Sequence, residues 1–165
     1  MASVVEVRGL EEVLARLRPT LWRKPLRRFL TRSSIAIANA YRDRVAVDTG
    51  RARASITHEV HDDWARVGSN VEYLANLESG TGLLAEGQPA KGGRHWPPAS
   101  ALDRWARRHG FPEEGGGYLV ARAIGRRGGL KPRWWLRDAV RFTMGQIRQF
   151  AMRMAREIES EWRRG

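Results

Sequence analysis

Apolar residues along this chain recur mostly at helical spacing, with a short stretch of strand-like alternation near the middle. Ser3-Val4-Val5-Glu6-Val7 alternates loosely and predicts a short strand, broken at Gly9. Leu10, Val13, Leu14 and Leu17 then follow a helical period. Glu11 and Glu12 sit in that helix's first turn, where the dipole favours acids. Pro19 is expected to end it. A second helix is expected from about Trp22 or Pro25 to Val45, with a stripe of Leu26, Phe29/Leu30, Ile37, Ala40/Tyr41 and Val45. Ser33, Ser34, Ala36 and Ala38 leave one side small, which permits close packing.

Asp48-Thr49-Gly50 reads as the stop of that helix, because Gly50 can take positive φ and Asp48 can bond nearby backbone N–H groups. Residues 55–60 alternate as a strand, His61-Asp62-Asp63 reads as a turn, and 64–68 returns, so 54–68 is a predicted hairpin. Residues 72–78 are expected to be extended or to hold a helical turn near Tyr73–Leu77. From Gly80 to Pro98 the chain reads as a loop, and long loops in compact domains are usually functional or mobile. A helix is expected over Ser100–His109, with Gly110 as its stop. Gly115-Gly116-Gly117 reads as a flexible joint before a short helix over Tyr118–Arg126. Gly128-Gly129 breaks that helix and Pro132 opens the last element.

That element carries an apolar stripe from about Arg133 to Trp162, about 30 residues or roughly 45 Å of helix. Such a helix exceeds what a 165-residue domain needs. Its far end is expected to pack on another subunit or against the N-terminal helices.

Composition narrows the picture. The length suggests one domain, and 42% hydrophobic content suffices for a core. With no cysteine, a disulfide framework and a thiolate metal site are both excluded. No apolar run approaches the roughly 20 residues that span a bilayer. The first residues lack the charged start and apolar run of a signal peptide. The net charge is +12, and with only three lysines, 27 of the 30 basic residues are arginine. A GC-rich coding genome would produce that skew, and so would bidentate recognition of phosphate or carboxylate. The charge is uneven: +6 over residues 1–47, −3 over 48–93, +6 over 94–133 and +3 over 134–165. Opposite potentials of this kind suit subunits that pack against copies of themselves.

Candidate chemistry is sparse. His58 and His61 with Asp62 and Asp63 are metal-ligand types, but converging ligands would be needed, and the two histidines would sit on opposite strand faces. No motif frames Glu72 with Glu78, or Asp62 with Asp63, as a hydrolytic carboxylate pair. Neither a nucleophile elbow, a phosphate loop nor a dinucleotide fingerprint occurs. No catalytic residue, metal or cofactor is therefore assigned. Arg122, Arg126, Arg127, Lys131 and Arg133 flank Trp134-Trp135, which makes them candidate DNA-phosphate contacts, insensitive to base sequence. In the plainer reading, the tryptophans are core anchors and the arginines are solvated.

In order along the chain stand Asp48-Thr49-Gly50, Arg53-x-Ser55-Ile56, Val67-Gly68, Tyr73-Leu74-Ala75, Glu78-x-Gly80-Thr81 and Pro132-Arg133-Trp134-Trp135-Leu136-Arg137-Asp138-Ala139. This order resembles the small neck, tail-completion and head–tail joining proteins of tailed bacteriophages, in the style of lambda minor tail protein Z. The resemblance covers nearly the whole chain. It departs from the usual pattern at Val47, where a proline is usual, and in the long, arginine-rich segment 82–131.

The resemblance implies an α+β fold: a small antiparallel sheet packed by helices, with the long C-terminal helix, in one domain carrying an inserted loop-rich helical segment at about 82–131. It implies a non-enzymatic virion protein, assembled in the host bacterial cytoplasm, that forms a hexameric or dodecameric ring. Expected partners are portal, adaptor or head-closure proteins, tail terminator or tail tube proteins, and packaged DNA in the lumen. No membrane is expected. Asp48, Thr49, Gly50, Ser55, Ile56, Tyr73, Glu78, Gly80, Thr81, Trp134, Trp135 and Leu136 become candidate structural-motif or interface residues. The competing expectation is a free, sequence-nonspecific nucleic-acid-binding protein.

Overall fold

The structure, a computed structural model, describes residues 18–85 and 93–164, so the strand expected at 3–7 and the helix expected at 10–17 lie outside the described residues. The fold is α+β: helices dominate, β1 and β2 form a two-stranded antiparallel sheet, and a long helix ends the chain. The chain divides into two compact units.

The first unit holds residues 18–44, 56–68 and 139–164. Helix α1 (Pro19–Arg44) starts at the proline expected to end a helix. Proline is well suited there, since its fixed φ is helical and its missing N–H would have no partner in the first turn. The small residues of α1 are largely sequestered: Ser33, Ser34, Ala38 and Ala40 are buried, together with Tyr41.

The hairpin β1 (Ile56–Val60) and β2 (Ala65–Ser69) has Asp62 and Asp63 at its tip, closed by the His61 N–H donating to the Trp64 carbonyl at 2.8 Å. The His61 ring stacks on Trp64 at 3.9 Å between centroids. Two-stranded ribbons are marginal alone. This one is anchored on α1, where Arg42 Nη2 donates to the Ile56 carbonyl at 2.5 Å, and the Ile56 side chain is fully buried.

Helix α6 (Trp135–Arg164) contributes Ala139 onward to this unit. Arg28 faces Glu157 at 3.3 Å, and the Arg44 guanidinium lies 4.5 Å from the centre of the Phe142 ring. As the position on one helix rises by 16, that on the other falls by about as much, so α1 and α6 run antiparallel. Ala139 and Thr143 are buried on α6, and the Thr143 hydroxyl donates to the Ala139 carbonyl at 2.9 Å. A groove of about 420 Å³ follows this pair, lined by Ile35, Asn39, Asp43, Phe142, Gln146 and Phe150 among others.

The second unit holds 45–55 and the described part of 69–138. It contains α2 (Arg51–Ala54), α3 (Glu72–Ser79), a 3-10 turn at Gly82–Leu84, α4 (Ala99–Arg108) and α5 (Gly116–Arg126). Residues 72–78, expected to be extended or to hold a single turn, form a helix of two turns. Leu74 and Leu77 share a face at helical spacing, Leu74 is fully buried, and Glu72 sits favourably in the first turn.

The glycines at 115–117, read as a flexible joint, instead open α5. Gly115 is its N-cap, and a Cβ on Gly117 would overlap Asp103 and the Ala99 carbonyl, so these glycines let α5 cross close against α4. The segment 82–131, read as an insertion, shares this unit with 45–55 and with the approach to α6. Among the described residues, no helix is long and apolar enough to cross a membrane.

Candidate functional site: a junction of sequence motifs

Two motif blocks lying some fifty positions apart meet in the second unit. The chain from 128 to 136 runs antiparallel along the chain from 77 to 83. Thr81 N–H donates to the Leu130 carbonyl at 2.9 Å, and Leu130 N–H donates back to Thr81 Oγ1 at 3.0 Å. Leu83 N–H donates to the Gly128 carbonyl at 2.8 Å, and His95 N–H reaches the same oxygen at 3.4 Å. Thr81 is buried, so its side chain supplies an acceptor where water could not.

Glu78 joins two helix ends. The last carbonyls of a helix and the first N–H groups of the next lack partners within their own helices. Here Arg133 N–H donates to the Leu77 carbonyl at 2.9 Å, and Trp134 N–H to the Glu78 carbonyl at 3.4 Å, which closes α3. The Glu78 carboxylate accepts from Leu136 N–H at 2.9 Å, at the start of α6. A carboxylate is favoured there by the helix dipole as well as by the bond.

Trp134 begins the turn into α6 at φ 58°, unusual for a bulky residue, and its carbonyl accepts from Asp138 N–H at 2.8 Å. The Arg137 guanidinium covers the Trp134 ring at 3.4 Å. Trp134, Trp135 and Leu136 are all half-buried.

Close backbone approach dictates the glycines of this seam. A Cβ on Gly80 would stand 2.7 Å from the Leu130 carbonyl oxygen. One on Gly129, at φ 141°, would overlap the Thr81 carbonyl oxygen and lie 2.7 Å from its carbon.

The Asp48-Thr49-Gly50 corner is a second, smaller junction. Gly50, at φ 79°, launches the single turn α2, where the sequence suggested a direct entry into the strand. Thr49 Oγ1 receives the Arg51 N–H at a long 3.4 Å. Asp48 forms a short ion pair with Arg108 at the end of α4, sixty positions away. The Ser55 and Ser69 hydroxyls are 2.7 Å apart. Because Ser55 donates to the Ala52 carbonyl at 2.7 Å, Ser69 must donate to Ser55, and it accepts in turn from Val71 N–H at 3.0 Å. Tyr73 takes no part in this network and is exposed on α3, while Ile56 lies in the first unit.

Arg122, Arg126, Arg127, Lys131 and Arg133 are all exposed. The tryptophans beside them are only half-open, and Arg137 occupies a face of Trp134. That arrangement leaves little ring for a base to stack on. Glu78, weighed as a carboxylate for hydrolysis, is engaged as a helix cap. Among the described residues, no three histidines, aspartates or glutamates converge as metal ligands.

Sequence reasoning identified Glu78, Gly80 and Thr81 but missed their partners Gly128, Gly129 and Leu130, as well as Arg108. A small residue facing another backbone carries no pattern of its own, and a pairing across fifty positions leaves no local period. No family model, curated protein or solved structure matches the chain.

Proposed function

We propose that this chain is a non-enzymatic structural protein of a tailed-phage virion. It forms a ring in the neck or at the top of the tail, joins the head connector to the tail and lets DNA pass. The observation that carries the reading is the groove along α1 and α6, where exposed apolar side chains stand beside Arg32, Asn39, Asp43 and Gln146. Phe142 on its rim is 73% exposed, and Ile35 opposite is 41% exposed. Apolar surface of that kind on two long helices suits a neighbouring subunit. Use of the motif residues as junctions fits a part whose work is to hold shape. Partners would be copies of itself, a portal, adaptor or head-closure protein, and a tail terminator or tail tube protein, assembled in the bacterial cytoplasm.

Immunogold labelling of tailed particles made by a host carrying the gene tests the reading. Label at the head–tail junction is expected. Particles free of label, with the protein recovered only from the soluble lysate, would contradict it.

A further inference from the structure

Basic residues flank Trp134-Trp135, and a second basic cluster lies on α1. Residues 18–32 contain six basic side chains and no acid, and the first acid after them is Asp43. On a helix, positions 24, 27, 28, 31 and 32 fall on one face. In the structure Lys24, Arg27, Arg28, Thr31 and Arg32 together line a shallow groove of about 380 Å³. Arg23, Lys24, Arg27 and Arg32 are exposed and meet no carboxylate among the described residues. Arg28 faces Glu157, with its side chain 56% exposed. The Thr31 hydroxyl is already spent on the Arg27 carbonyl at 2.8 Å, so the groove is cationic rather than mixed polar.

We infer that this face of α1 binds the phosphate backbone of duplex DNA. Several features of the face fit that ligand. The stretch from 24 to 32 spans about 12 Å of helix axis, the axial reach of three or four phosphates of one strand. No large apolar side chain is exposed between 18 and 34 among the described residues, so the face lacks the wedge that would seat it in a bilayer. It equally lacks the buried apolar anchor expected of a protein partner. Specific DNA interfaces are polar and strongly positive, as this face is. Arginine predominates, whose planar fork suits phosphate oxygens. The inference rests on the virion reading only for the choice of DNA as polyanion; its position rests on α1 alone.

The test is fluorescence anisotropy of the full chain with a labelled duplex across a salt series. Four phosphate contacts predict a slope of log affinity against log salt of about −3.6, a loss of about 150-fold between 50 and 200 mM. The Lys24→Gln, Arg27→Gln double variant changes only exposed positions, spares the α1–α6 groove that Arg32 also lines, and leaves Arg28 with Glu157. It should flatten the slope by about 1.8 at unchanged helical circular dichroism. An Arg122→Gln, Arg126→Gln, Arg127→Gln control should keep the wild-type slope.

A flat wild-type slope overturns the inference. So does flattening by the control triple alone, or binding to phosphatidylserine vesicles without binding to duplex. Native mass of the same samples separates the two readings. A monomer that binds through α1 defeats the ring and leaves this site standing. A ring whose slope ignores the α1 double variant defeats only the site.

Discussion

Replacing Gly129 by alanine tests the motif junction at its tightest point. The new methyl group would overlap the Thr81 carbonyl oxygen and sit 2.7 Å from its carbon, both backbone atoms that cannot swing aside. At φ 141° an L-residue is also strained, by about 1–2 kcal/mol. Relief requires the two chains to part, which breaks the Thr81 N–H bond to Leu130 and the Leu130 N–H bond to Thr81 Oγ1. Each is worth about 1 kcal/mol net. The sum is a loss of about 3–4 kcal/mol, a large share of the roughly 5–15 kcal/mol that holds a domain together. The matched control is Gly145→Ala in the middle of α6, where a Cβ meets nothing within 4 Å and φ is ordinary. There alanine should stabilise by about 0.8–1 kcal/mol through helix propensity. Urea titration followed by circular dichroism should move the midpoint down by roughly 1.5–2 M for Gly129→Ala and up by roughly 0.4 M for Gly145→Ala, for an m-value near 2 kcal/mol/M. Two midpoints indistinguishable from wild type would refute the close-approach argument.

At the head of α6, Glu78→Gln keeps an acceptor but loses the charge, so thermal unfolding should show a cost of about 0.3–1 kcal/mol; Glu78→Ala loses both and should cost about 1–2 kcal/mol. Asp48→Asn removes the exposed pair with Arg108. It should cost at most about 1 kcal/mol, and the difference from wild type should vanish in molar salt. Phe142→Glu should leave the helical signal intact, apart from about 0.5–1 kcal/mol lost with the Arg44 contact, while abolishing self-association in sedimentation velocity. Retained association would remove the groove from the assembly surface.

Elements with long periods were legible. The stripe from Trp135 to Trp162 predicted α6 almost to its ends, and Leu102, Trp105 and Ala106 predicted α4. The hairpin followed from alternation around Asp62-Asp63. Legibility fell where a residue type has two opposite meanings. The helix expected from about Trp22 or Pro25 opens earlier, at Pro19, because a proline read as a stop also suits a first turn. Gly116 and Gly117 can loosen a chain or let two helices touch, and the carbonyl of Ala99 decides that. Glu78, Gly80 and Thr81 stood out as a motif, but their partners at 128–136 could not be read, because main-chain hydrogen bonds leave no mark in side-chain pattern. The basic face of α1 lay within the expected helix, but the charge count pooled its residues with the rest of 1–47, and the groove lined by Lys24 to Arg32 shows only in the structure.

The proposed function turns on self-assembly, and native mass spectrometry of the purified chain measures it most directly. Six or twelve copies of an 18.8 kDa chain would give a discrete species at about 113 or about 226 kDa, unchanged by nuclease treatment. A single species at 18.8 kDa up to the highest soluble concentration would contradict the account.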